Sequence, residues 1–278
     1  MPELPEVETV RTTLSKLIIG EKIERVIVTW PKMIKYPDDV DQFTYALEGQ
    51  TFRSVSRRGK FLIFYLDDYA LISHLRMEGR YGVSHKEVEE HPHIHVRFRF
   101  ESAQELRYGD VRKFGTMHLF PIGEELTRLP LSQLGPEPLD NSFRVEELAQ
   151  RLKRTTRAVK GALLDQTVIV GLGNIYVDEA LFKAKIHPEK PANLLKDEEV
   201  VKLFDAIIKT LSEAVKLGGS SVKSYVNGQG EMGMFQQQLN VYGRKGQSCH
   251  TCGMEIQRTV VSGRGTHTCP SCQPIFAP

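Results

Sequence analysis

Residues 1–248 contain no cysteine; all four cysteines fall in the last 30 positions. A disulfide framework cannot brace the bulk of such a chain, and the clustering points instead to a metal site. Long apolar runs are also missing, and none approaches the ~20 residues of a membrane-spanning helix. The opening Met1-Pro2-Glu3-Leu4-Pro5 has no basic-then-apolar leader, so the protein is expected to be cytoplasmic, with no membrane partner. Excess charge of one sign is nearly absent: 37 Lys and Arg against 35 Asp and Glu leave a formal +2. Any affinity for a polyanion must therefore lie in where the cations sit. Internal repeats and low-complexity tracts are lacking too. What remains is an ordinary globular composition, 40% hydrophobic and 26% charged, in 278 residues, long enough for two domains.

The apolar spacing changes period along the chain. Val7, Val10, Leu14, Leu17 and Ile18 form one helical stripe over 6–18, with Gly20 as its stop. From about 22 to 120 the period is two: Ile94, Val96, Phe98 and Phe100 alternate with His95, Arg97 and Arg99. Short runs at 61–66, 70–75, 105–108 and 116–120 add strands of a sandwich or barrel-like domain. Pro121, Pro130, Gly135, Pro136 and Pro138 mark a linker. Beyond it the period returns to 3.6, with helices expected near 144–154, 157–165, 175–184 and 197–216, the last stopped by Gly218-Gly219. The Gly-rich stretch 218–237 is too long for a simple connection and reads as a functional loop or as disorder.

Four local patterns carry chemistry. Cys249-x2-Cys252-x16-Cys269-x2-Cys272 has the spacing of a closed, structural four-cysteine zinc site, and the residues between its knuckles read as a β-hairpin with Arg264 at the tip. Arg53, Arg57, Arg58 and Lys60 crowd a stretch without acidic residues, either a solvated turn or a phosphate-facing edge. Gly171-Leu172-Gly173-Asn174 is a helix–helix turn that could also offer free N–H groups to a phosphate, with Asn174 as the cap. At the start, Pro2 would carry a secondary amine if Met1 is removed. An α-amine has a pKa near ~8, about two units below lysine, and the positive end of the following helix lowers it further. With the Glu3 carboxyl beside it, this is a nucleophile with an acid, or equally an ordinary solvated terminus.

Read together, PELPEVE at 2–8, RRGK at 57–60, SHLRMEGR at 73–80, DVRKFG at 110–115, LLDQ…GLGNIYVDE at 163–179 and the cysteine hairpin with GRGTHTC resemble the bacterial formamidopyrimidine-DNA glycosylases. The resemblance implies an α+β fold in two domains: an N-terminal β-sandwich with flanking helices (1–133), a hinge linker (134–142), a helix-two-turn-helix domain with a lesion-recognition loop (143–238), and a four-cysteine zinc finger (239–278). It implies a monomer that binds double-stranded DNA containing oxidised purines and is nucleoid-associated in use. The implied activity is removal of 8-oxoguanine opposite cytosine and of formamidopyrimidines, then β,δ-elimination at the abasic sugar. Carried onto this chain, Pro2 is the nucleophile that forms the Schiff base and Glu3 its acid/base. Lys60 contacts phosphate and lesion, and Arg264 grips the flanking phosphates. Met77, Arg112 and Phe114 fill the void left by the flipped nucleotide. His74, His93, Arg112, Arg154, Lys160 and Asn174 contact phosphates, and Glu78, Ser221 and Tyr225 line the lesion pocket. Cys249, Cys252, Cys269 and Cys272 hold one structural Zn²⁺, the sole cofactor implied.

Two other readings stand beside this one. The related endonuclease-eight branch prefers oxidised pyrimidines; the PELPEVE start and the Met77/Arg112/Phe114 set argue against it. A zinc-ribbon module that only binds nucleic acid explains the tail but neither Pro2-Glu3 nor Lys60.

Overall fold

In a computed structural model the chain forms two compact units, and the structure describes residues 1–88, 92–220 and 234–276. The first unit comprises Met1–Gln133 and, of the later described residues, 218–220; the second runs from Leu134 to Leu217 and resumes at Met234.

The first unit opens with α1 (Leu4–Leu17), followed by β1 (Ile23–Val28), β2 (Ile34–Tyr36), α2 (Val40–Leu47), β3 (Ser54–Arg58), β4 (Phe61–Tyr65), β5 (Tyr69–His74), β6 (Arg80–His85), β7 (Ile94–Phe100), β8 (Gln104–Gly109) and β9 (Thr116–Pro121). The strands form a four-stranded sheet, ordered β1-β7-β8-β6, and a five-stranded sheet, ordered β2-β9-β5-β4-β3; every pair is antiparallel except β2 with β9. In the core, Phe52 meets Phe64 of one sheet and Phe98 and Phe100 of the other edge-on. Val7, Val10 and Leu14 join it from α1, so the expected stripe is the buried face. The period-two stretch hides one helix. Asp39 caps α2 by accepting from the N–H groups of Asp41 and Gln42, and Phe43 and Leu47 bury its inner face.

The second unit holds α3 (Val145–Lys153), α4 (Val159–Leu164), α5 (Asn174–Ala184), α6 (Asp197–Lys216) and the hairpin β10 (Gln257–Val261) and β11 (Arg264–Thr268). Helix α5 is its hub, packing on α4, α6 and β11. Tyr176, Val177, Ala180 and Leu181 are fully buried on α5, and Leu203, Ile207 and Leu211 are fully buried on α6, which packs on it. No helix among the described residues is long and apolar enough to cross a membrane.

Candidate active site and nucleic-acid interface

The terminal segment is tethered at the head of α1. Glu3 is the N-cap, and Glu6 closes a capping box by accepting from the Glu3 N–H at 2.8 Å. Pro2 and Glu3 are buried, whereas Met1 is half exposed. The second oxygen of Glu6 accepts from the Ser220 N–H at 2.7 Å, so one buried carboxylate joins the start of the chain to the described end of the Gly-rich stretch that begins at 218. Gly219 lies against that carboxylate: its φ is +80°, and a Cβ there would sit 2.7 Å from Glu6 Oε1.

Lys60 lies in the tight connection between β3 and β4, where Arg58 pairs with Phe61. The turn is braced from α1. Glu8 binds Arg11 at 2.7 Å and Arg57 at 3.0 Å, and Arg57 donates to the Gly59 carbonyl at 2.9 Å. Burial pushes the Glu8 carboxyl up, but hydrogen bonds and charge from Arg11 and Arg57 outweigh it and leave the group below its usual range. Lys60 itself is buried. His74, opposite Phe61 on β5, senses it: burial first, then the charges of Arg76 and Lys60, push the imidazole down to about 3. His74 is therefore neutral near pH 7. Its Nδ1 accepts from the Arg76 N–H, which leaves the proton on Nε2 and makes the ring a donor suited to a phosphate.

Two loops rise from the sandwich with the expected wedge residues on them. Met77 and Phe114 are 39% and 52% exposed, unusual for such side chains, and the Arg112 guanidinium lies 4.8 Å from the Phe114 ring centre. Val111, 56% exposed beside them, was not expected. Glu78 and His93 border one cavity with Arg80. Ser221 and Tyr225 lie outside the described residues.

In the second unit Asn174 differs from its expected role. The N-cap of α5 is Gly173, Asn174 is the first helical residue, and its Nδ2 donates to the Gly265 carbonyl at 2.9 Å. Lys160 differs more. Expected at a phosphate, it is wholly buried, with Nζ 2.6 Å from Asp178 and 3.1 Å from the Gly265 carbonyl. Asp178 also accepts from the His267 N–H at 2.9 Å. These residues fix the hairpin that carries Arg264. Arg264 opens β11 opposite Val261, exposed just beyond a turn in which Ser262 and Gly263 both have positive φ, the twist that a two-residue hairpin needs. Arg154 is exposed at the C-cap of α3.

The four cysteine sulfurs lie within 4.8 Å of one another, with Cys252 and Cys269 at 3.4 Å and Cys249 and Cys272 at 4.0 Å. Four thiolates at about 2.3 Å from a tetrahedral ion stand roughly 3.8 Å apart, so the donor set fits zinc and leaves no open position for catalysis. The Thr251 and Cys272 N–H groups point at Cys249 and Cys269 sulfurs, a fitting outer shell for thiolates. His267 is held by Asp178 rather than by this cluster.

Sequence reasoning missed the supporting residues. Asp178 and Glu179, adjacent on α5, are buried carboxylates. Glu179 accepts from the N–H groups of Asn240, Val241 and Tyr242, all at 2.9 Å, and so hooks the segment that leads into the cysteine tail. Buried acidic residues inside an otherwise apolar helix were the available signal.

The comparisons with known proteins agree along the chain. The profile of the Formamidopyrimidine-DNA glycosylase N-terminal domain matches residues 1–117, that of the Formamidopyrimidine-DNA glycosylase H2TH domain matches 134–226, and that of the zinc finger found in FPG and IleRS matches 246–275. The formamidopyrimidine-DNA glycosylase of Halalkalibacterium halodurans is 63% identical, the alignment covering 98% of this chain and all of the relative; that of Shouchella clausii is 62% identical over 99% of each. Among solved structures, a Lactococcus lactis Fpg complex with DNA containing an abasic site superposes with a TM-score of 0.92 at 45% identity, over 98% of this chain and 100% of that one. A complex of a mutant of that Lactococcus lactis protein with DNA containing Fapy-dG gives 0.93, also at 45% identity, over 99% and 100%. With profiles that together span most of its length and full-length relatives above 60% identity, this chain belongs to the formamidopyrimidine-DNA glycosylase family.

Proposed function

We propose that the protein is a bifunctional DNA glycosylase and AP lyase of base-excision repair. It removes 8-oxoguanine opposite cytosine and formamidopyrimidines from double-stranded DNA. The observation that carries the reading is the tethered start of the chain: Pro2 and Glu3 are buried at the head of a capped helix, where a terminus without a role is exposed and frayed. After removal of Met1, the Pro2 nitrogen attacks C1′ of the flipped nucleotide and the damaged base leaves with the glycosidic electron pair. Glu3 protonates the ring oxygen as the sugar opens, giving an iminium. The iminium acidifies the C2′–H; loss of that proton, with Lys60 assisting, expels the 3′ phosphate, and a second elimination assisted by Arg264 expels the 5′ phosphate. Hydrolysis frees Pro2. No redox step is required.

Met77, Arg112 and Phe114 occupy the vacated space, with Arg112 facing the estranged cytosine. His74, His93, Arg154 and Asn174 contribute to holding phosphates, Lys160 acts through the hairpin, and Glu78, Ser221 and Tyr225 face the lesion. Residues 134–142 serve as the hinge between a catalytic domain and a helical DNA-binding domain, and the protein acts as a monomer. One Zn²⁺ on the four cysteines shapes the tail and takes no part in the reaction. Its removal by a chelator is expected to weaken binding to lesion DNA by at least about tenfold while α1 and the sandwich keep their fold. Unchanged affinity after proven metal loss counts against this.

The deciding experiment is borohydride reduction during reaction with an 8-oxoguanine·cytosine duplex. A covalent protein–DNA adduct is expected. Its absence, once mass spectrometry has shown a free Pro2, removes the lyase assignment. An adduct that forms far faster on an oxidised pyrimidine places the chain in the endonuclease-eight branch instead.

A further inference from the structure

The wedge residues Arg112 and Phe114 sit on a short exposed loop that should be floppy, yet its backbone is locked by one side chain. Asp110 is 1% exposed, and its carboxylate accepts three main-chain N–H groups: Arg112 on Oδ1 at 3.0 Å, and Phe114 and Gly115 on Oδ2, both at 2.8 Å. The backbone of Asp110 is fixed in turn. Its N–H donates to the His93 carbonyl at 2.9 Å, and its own carbonyl lies 2.9 Å from His95 Nε2. Three N–H groups converging on one carboxylate make a rigid nest rather than a flexible hairpin tip.

Two further contacts clamp the same loop. Lys113 is held at φ +59°, an uncommon conformation for a residue with a side chain, and its ammonium lies 4.2 Å from the Trp30 ring centre. Below, the Tyr108 ring fills the space under Gly115, where an added Cβ would meet its hydroxyl at 1.8 Å. The Met77 loop rests on the same hydroxyl, since a Cβ on Gly79 would lie 2.2 Å from it. The two wedge-bearing loops therefore share one support.

We propose that Asp110 is the positioning residue of the opposite-strand probe. Its carboxylate presets the backbone of 110–115 so that Arg112 and Phe114 enter the duplex together, and with the Trp30–Lys113 and Tyr108–Gly115 contacts it sets the enzyme's discrimination of the base opposite the lesion. The inference rests on the reading above that these side chains enter DNA, and it adds a group that touches neither substrate nor reacting atoms. A preset loop loses little freedom on insertion, so the cost of ordering it is met in folding rather than in binding.

The test compares Asp110→Asn with the unaltered protein on two substrates: a duplex with an abasic site opposite cytosine or adenine, and a single strand carrying the same site. Asparagine keeps the shape but turns an amide donor toward N–H groups. On the duplex, kcat/KM is expected to fall about tenfold or more, chiefly through KM, and the cytosine-to-adenine preference to shrink. On the single strand, which offers no vacated stack and no opposite base, the rate is expected to stay within about twofold. Trp30→Leu, acting on the other clamp, is expected to show the same selective loss at smaller size, with melting curves reporting that each variant is folded. An equal fall on both substrates gives Asp110 a scaffold role only, and an unchanged duplex rate or preference also overturns the proposal. Borohydride trapping of the unaltered protein on both substrates is the control. If it fails, the proposed function fails; if it succeeds and the variants respond equally on both, only the Asp110 inference fails.

Discussion

Borohydride trapping is expected to vanish, and strand cleavage at an abasic site to fall by on the order of 10³-fold or more, in a chain that keeps a residue ahead of Pro2. In such a chain the Pro2 nitrogen is an amide, its lone pair is delocalised into the carbonyl, and no iminium can form. Affinity for lesion DNA is expected to change little, because the cations and the proposed wedge residues lie elsewhere in the sequence. A Pro2→Gly protein makes the complementary case. It retains a free amine at the same place, but a primary and more mobile one, so trapping is expected to persist at a much lower rate. Gel-shift and trapping assays on one oligonucleotide read both quantities. Undiminished cleavage in the blocked chain would move the nucleophile to another amine, and Lys60 is then the first to examine.

The largest expected effect on stability belongs to Asp178. Replacing it with alanine takes the carboxylate away from the Lys160 ammonium, which is wholly buried and 2.6 Å from it. Breaking a buried pair on one side costs about 3–5 kcal/mol, far more than the pair itself contributes, because the surviving charge cannot return to water. Asp178→Ala is thus expected to destabilise the second unit by that amount in urea titrations. Lys160→Met combined with Asp178→Leu removes both charges at similar volume and is expected to recover most of the loss. Since Asp178 also takes the His267 N–H, the double variant should stay stable yet bind DNA less tightly, its hairpin being less well held. A cost below about 1 kcal/mol for Asp178→Ala would show that the pair is not what secures the hairpin.

The sequence was most legible where one period repeats. The α1 stripe and the α6 face each place several apolar side chains on one side, and each is the buried side in the structure. The alternation at 94–100 holds for Val96, Phe98 and Phe100, whereas at its start, beside a register shift, Ile94 is half-buried and His95 is buried. Helix α2 escaped because its 8 residues give only two buried apolar positions, Phe43 and Leu47. The cysteine spacing needs no tertiary context, and the four sulfurs cluster. The burial of Lys160 could not be read from its surroundings in the sequence, since it depends on Asp178, 18 positions away, and on Gly265, 105 away. Asn174 was misread by one position because a glycine serves as N-cap where a side-chain cap was assumed. Asp110 was readable in principle: an aspartate followed by an exposed turn is a common self-bonding pattern.

The two adjacent carboxylates of α5 also bear on how the second unit comes together. A set of helices joined by short connections would ordinarily count as a local, fast-folding topology. Here the groups that satisfy Glu179 lie 61 to 63 positions later in the chain, and the N–H that donates to Asp178 lies 89 later. Until those segments arrive, the helical unit holds acids that lack their native donors. Refolding of the unit is therefore expected to be slower than its helix content alone implies, because these contacts are non-local.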